Sequence, residues 1–127
     1  MLILGIDTAT RVASVGLLSD GEIIAEESSL SGANHTEILL PLILRVLNSV
    51  QYSLPDVQGI GVSIGPGSFT GLRIALGTVK GLAYALNQRV AAIPTLEALA
   101  RTVVEWEGEI CTVSDARKGE VYAAFFR

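Results

Sequence analysis

Three extended segments joined by tight turns open the chain, and directly after them the apolar period lengthens from a strand's to a helix's. Leu2 to Ile6 is a continuous apolar run, the pattern of a strand buried on both faces. Val12 to Leu18 alternates and is rich in small and β-branched residues. Ser19-Asp20-Gly21 then supplies a turn before a third strand over Glu22 to Ser29. From His35 to Val50, after the polar approach Ser31-Gly32-Ala33-Asn34, Leu39, Leu42, Ile43, Val46, Leu47 and Val50 recur at helical spacing. Pro41 lies near the start, where a helix tolerates it.

The rest of the chain repeats strand then helix. Gln58 to Ile64 alternates as a strand, Ser68 to Leu86 reads as a helix, and Val90 to Ile93 as a short strand. Pro94-Thr95 opens a third helix expected to run to about Trp106. A meander feeding right-handed crossovers predicts a mixed five-stranded sheet with helices on its faces. That order, β-β-β-α-β-α-β-α, resembles the ribonuclease H-like lobe of the actin, Hsp70 and sugar-kinase superfamily. An acidic break from Glu105 to Glu109 follows. Two more strands, Ile110 to Ser114 and Glu120 to Phe126, then flank Asp115-Ala116-Arg117-Lys118-Gly119. A lone hairpin is not a stable unit. The expected division is therefore a lobe over 1–107 and, over 108–127, the opening hairpin of a second lobe that is cut short.

Composition narrows the function. Half the residues are hydrophobic and 17% are charged, more apolar surface than a small monomer needs, which points to a covered face and a partner. The net charge is −4, and of the nine Lys and Arg only Arg117 and Lys118 are adjacent, which argues against strong nucleic-acid binding by this chain alone. Cys111 is the single cysteine. It excludes an internal disulfide and a cysteine-based metal cluster and fits a reducing, cytoplasmic setting. Residues 1–6 lack a basic leader region. The longest uncharged stretch, Val57 to Leu72, holds Pro66 and five glycines, so neither a signal peptide nor a membrane span is expected.

Three motifs carry chemical meaning. Gly65-Pro66-Gly67-Ser68-Phe69-Thr70-Gly71-Leu72-Arg73 sits between a strand and a helix, where glycines allow close backbone approach and a helix N-terminus favours anions. It lacks the Gly-Lys-Ser/Thr of a phosphate-binding loop, and Thr70 stands where a dinucleotide fingerprint needs its third glycine. A structural turn packing on protein is the favoured reading, with phosphate contact through Gly67 and Ser68 as the alternative. Asp7 ends the first strand and is followed by Thr8-Ala9-Thr10. Kinases of this superfamily hold magnesium with an acid here and receive a phosphate on a glycine-bearing hairpin, but that glycine is missing. Asp7, Thr8 and Thr10 are thus read first as turn-satisfying groups and second as cofactor ligands. The three or four carboxylates of a two-metal nuclease are absent. His35 is the one histidine and position 39 is Leu39, so no zinc pair forms. No nucleophile elbow is present for a Ser-His-Asp hydrolase.

The third motif is the glycine content of the second long helix. Gly71, Gly77 and Gly81 each cost about 1 kcal/mol relative to alanine in a helix interior, and Gly77 and Gly81 share one face. Tight packing on the chain's own sheet and contact with another subunit both explain them. The apolar surplus favours the second.

Ile6-Asp7-Thr8-Ala9-Thr10, Asn34-His35-Thr36-Glu37-Ile38-Leu39-Leu40-Pro41, the Gly65–Ile74 segment, Pro94-Thr95-Leu96-Glu97-Ala98-Leu99 and Asp115-Ala116-Arg117-Lys118-Gly119-Glu120-Val121-Tyr122 fall in order along the chain. Together they closely resemble the bacterial TsaB (YeaZ) family, whose members generally continue well past Arg127. The resemblance implies a non-catalytic partner of the related subunit TsaD, which carries the metal-binding histidine pair and transfers a threonylcarbamoyl group to adenosine next to a tRNA anticodon. The ATPase TsaE joins that complex. ATP and metal are then expected on the partner subunits, with tRNA met only through the complex. The family docks TsaD through its first two helices, which carries over to His35, Leu39, Ile43, Arg73, Gly77, Lys80 and Gly81, and the same surface can form a homodimer. The other readings are a small-molecule kinase or ATPase using Asp7 and magnesium, and a peptidase, which no zinc-binding pair supports.

Overall fold

The computed structural model describes residues 1–30 and 35–127, and the polar approach at 31–34 lies outside them. Strands β1 (Leu2–Asp7), β2 (Val12–Ser19) and β3 (Glu22–Leu30) form the expected meander. Helix α1 (His35–Ser49), strand β4 (Gly59–Ser63), helix α2 (Phe69–Leu86), strand β5 (Arg89–Ile93) and helix α3 (Thr95–Ala100) follow. The five strands make one mixed sheet in the order β3-β2-β1-β4-β5. Pairing is antiparallel through β1–β2 and β2–β3 and parallel through β1–β4 and β4–β5. Strands β6 (Ile110–Arg117) and β7 (Glu120–Phe126) form a separate two-stranded sheet.

Register explains the core. Leu4 stands opposite Leu17 on one side and Ile60 on the other, and Ile6 opposite Val15 and Val62. These side chains share one face, and α1 covers it with Leu39, Leu42, Ile43, Val46 and Leu47 while α2 adds Ala75 and Val79. Both long helices therefore pack on the same side of the sheet. The expectation that β1 is buried on both faces does not hold: Leu2, Leu4 and Ile6 are buried, but Ile3, Gly5 and Asp7 between them are half-buried, because among the described residues both long helices lie on the other face.

The third helix is shorter than its apolar pattern suggested. It ends at Ala100 and passes into a single tight turn over Arg101–Val103. There the Thr102 hydroxyl donates to the Leu99 carbonyl at 2.7 Å. The run Thr102-Val103-Val104 is β-branched and a poor helix former. Thr112 on β6 donates to the Leu96 carbonyl at 3.1 Å, tying the hairpin to α3. Among the described residues, no helix is long and apolar enough to cross a membrane.

Candidate functional site

The carboxyl end of β1 and the start of α2 meet as a clamped pair of loops. The buried Thr8 hydroxyl donates to the Gly71 carbonyl at 2.6 Å, and the Ser68 amide donates to the Ala9 carbonyl at 2.7 Å. Asp7 accepts from the Ala9 amide through Oδ1 at 2.8 Å. Buried His35, first residue of α1, places Nε2 2.8 Å from the Thr10 carbonyl, an acceptor, so that nitrogen carries the proton. The far end of the loop is held by α3: Thr95 donates its amide to the Gly65 carbonyl at 2.9 Å and accepts from the Gly65 amide through Oγ1 at 3.1 Å.

Asp7, Thr8 and Thr10 lie on the first of these loops and Gly67 and Ser68 on the second, and the hydrogen bonds above engage the side chains of Asp7 and Thr8. A Cβ on Gly67 would stand 2.6 Å from the Ala9 carbonyl oxygen, and one on Gly71 would overlap the carbonyl oxygen of Thr8. The glycines are here because backbone meets backbone. The Ser68 hydroxyl caps α2 by accepting from the Gly71 amide at 3.2 Å. Ser68→Ala should cost about 1 kcal/mol, the usual value for a lost N-cap, read as a shifted urea midpoint at constant slope. Among the described residues, no three His, Cys, Asp or Glu side chains are grouped to hold a metal ion.

The expected partner surface divides sharply. His35, Leu39 and Ile43 are buried in this chain's own core, at 4%, 1% and 0% exposure, and cannot face a partner while the lobe is folded. The reason is geometric: α1 carries a wide apolar stripe, and these positions belong to its sheet-facing half. The outward apolar residues of α1 are Leu40 and Leu44, one turn apart and 43% and 40% exposed. Sequence reasoning passed over both, although they sit off the core stripe and were visible as surplus leucines. On α2, by contrast, Arg73, Gly77, Lys80 and Gly81 are all exposed, and a Cβ on Gly77 or Gly81 would meet nothing within 4 Å. Packing against the chain's own sheet does not account for these two glycines. Tyr84 continues the face at 92% exposure, and Phe69 begins the helix at 73%, with the Arg73 guanidinium 5.4 Å from its ring centroid.

A family model described as TsaD, tRNA N6-adenosine threonylcarbamoyltransferase, matches residues 23–127. The curated proteins similar to this chain include the tRNA threonylcarbamoyladenosine biosynthesis protein TsaB of Bacillus subtilis strain 168, 35% identical over 127 residues, covering 100% of this chain and 56% of that protein. TsaB of Escherichia coli K12 is 37% identical over 129 residues, covering 100% and 55%. The chain thus spans about half the length of the curated relatives it matches. The solved structure of YeaZ from Pseudomonas aeruginosa superposes with a TM-score of 0.90 at 35% identity, over 99% of this chain and 60% of that one. A likeness to Thermus thermophilus RuvC, TM-score 0.54 at 17% identity over 76% of this chain and 66% of that one, concerns the ribonuclease H-like fold alone.

Proposed function

This chain belongs to the TsaB/YeaZ group of the threonylcarbamoyltransferase family, and from that premise we propose that it is a docking subunit of the machinery that makes threonylcarbamoyladenosine in tRNA. In this reading it does no chemistry by itself. It seats and activates a TsaD-type transferase against the outer side of α1 and α2, and a TsaE-type ATPase joins the assembly. ATP and the metal ion bind on those partners, the complex is cytoplasmic, and two copies pair through the same helices when the transferase is absent. Residues 1–107 form the docking lobe and 108–127 the opening hairpin of a second one.

The observation that carries the proposal is the open space above Gly77 and Gly81, framed by exposed Tyr84, Lys80 and Arg73. Two glycines in a helix interior cost about 2 kcal/mol together. Nothing among the described residues packs against them, and a helix of another subunit could approach closely there. The clamp speaks against the kinase alternative: Asp7 already accepts from the Ala9 amide, and Gly67 is pressed onto Ala9 where a phosphate would need room.

Gly77→Leu tests the face. The added side chain enters empty space and improves helix propensity, so the unfolding midpoint should hold or rise. Co-purification with a TsaD homologue should weaken about tenfold or more, a loss of about 1.4 kcal/mol in pairing. Undiminished pairing in a folded variant would remove this face from the proposal. Tight, magnesium-dependent ATP binding with turnover by the purified chain would instead favour the kinase reading.

A further inference from the structure

We infer that the cleft between the loop clamp and the β6–β7 hairpin takes a nucleotide unit of single-stranded RNA, a reading that rests on the proposed place of this chain in tRNA modification. The cleft is a cavity of about 950 Å³ lined by the β1–β2 turn, the start of α2 and the hairpin. Arg11 projects from the turn and Arg117 from the hairpin. Both are exposed, and neither has an ion-pair partner among the described residues. In a chain of net charge −4, two guanidinium groups without an ion-pair partner among the described residues, both in the lining of one cavity, make a local cationic site. Guanidinium groups suit phosphate oxygens because their donors form a planar fork.

The lining supplies the other half of nucleotide recognition. Phe69 and Tyr122 both line the cleft and are 73% and 41% exposed; Arg73 lies over the Phe69 ring, which leaves its other face and the Tyr122 ring to stack on a base. Stacking of this kind tolerates any base and is common where single strands are held. The carboxylate in the lining, Asp115, has one oxygen engaged, accepting from the Arg117 amide at 2.8 Å. That bond holds the hairpin turn, in which Arg117 and Lys118 both take positive φ, and so fixes the base of the Arg117 side chain.

A strand of RNA fits better than a free nucleotide because both guanidinium groups and both rings are exposed along the lining. The phosphate-gripping position between the loops is already filled by the contact of Gly67 with Ala9. Recognition is therefore left to the exposed rim. Two phosphate contacts give weak binding alone, in keeping with the acidic chain, and add to whatever the transferase contributes.

The test is fluorescence anisotropy of a labelled oligoadenylate of about ten nucleotides against the purified chain. Wild type should bind at low salt with a Kd of roughly 10–100 µM, and log K should fall against log salt with a slope of about −1.4, about −0.7 for each charge contact. Arg11→Glu and Arg117→Glu should each weaken binding about tenfold or more and flatten the slope by about 0.7. Arg89→Glu, an exposed arginine at the opposite end of the sheet, should change neither. Equal losses in all three variants, no binding by wild type, or ATP binding more tightly than the oligonucleotide would each overturn the inference. Neither cleft arginine lies on the outer α2 face, so both variants should still co-purify with a TsaD homologue. Failure here is thereby separable from failure of the docking proposal.

Discussion

Gly71→Ala should destabilise the lobe by about 3 kcal/mol or more, at the upper end of overpacking costs, while Gly77→Ala on the same helix should stabilise it by about 0.5–1 kcal/mol. The two substitutions are chemically identical and their surroundings are opposite. At Gly71 the new methyl carbon would overlap the Thr8 carbonyl oxygen, with the His35 ring 3.2 Å away on another side. The obstacle is backbone, so no rotamer change relieves it. The turn would have to move off α2, breaking the hydrogen bond from the Thr8 hydroxyl to the Gly71 carbonyl and the one from the Ser68 amide to Ala9. At Gly77 the methyl carbon enters open space, and the only change is the gain in helix propensity. Urea unfolding of the two variants beside wild type, at matched slopes, gives both numbers. Shifts of the same sign, or a Gly71 variant as stable as wild type, would show that the two loops are not clamped as described.

That contrast marks what the sequence could and could not show. The order of elements was legible because the apolar period changes cleanly at each boundary, and the helix expected over Ser68 to Leu86 is met by α2, Phe69–Leu86, with Ser68 as its cap. The clamp was half legible. Glycines between a strand and a helix announce a close approach, but periodicity cannot say whether the neighbour is a phosphate or the chain's own Ala9, since the two contacts lie far apart in sequence. The end of α3 was illegible because apolar residues continue to Trp106 while the backbone has already left the helix. The outward face of α1 was misread for a related reason. Its period reveals a stripe, and a stripe alone does not say which side of it meets the sheet.

Leu39 and Leu40 make the sharpest test of that face, because adjacent leucines should fail in different assays. Leu39 is 1% exposed and packs in the core with Leu42 and Ile43. Its truncation to alanine leaves a cavity and should cost about 2–5 kcal/mol of stability. Any loss of partner binding should then follow the fraction of folded protein and be restored at lower temperature or by a stabilising osmolyte. Leu40 is 43% exposed on the solvent side of the same turn. Leu40→Ala removes little buried area and puts the best helix former at an exposed site, so stability should stay within about 0.5 kcal/mol. Pairing should nevertheless weaken by about 1 kcal/mol, roughly fivefold, if α1 contributes its outer face to the contact. Thermal unfolding paired with titration of a TsaD homologue separates the two effects in a single preparation of each variant. Should Leu40→Ala pair as wild type does, the contact belongs to α2 alone. A Leu39→Ala variant that kept full stability while losing its partner would return the buried stripe of α1 to the interface and place α1 the wrong way round against the sheet.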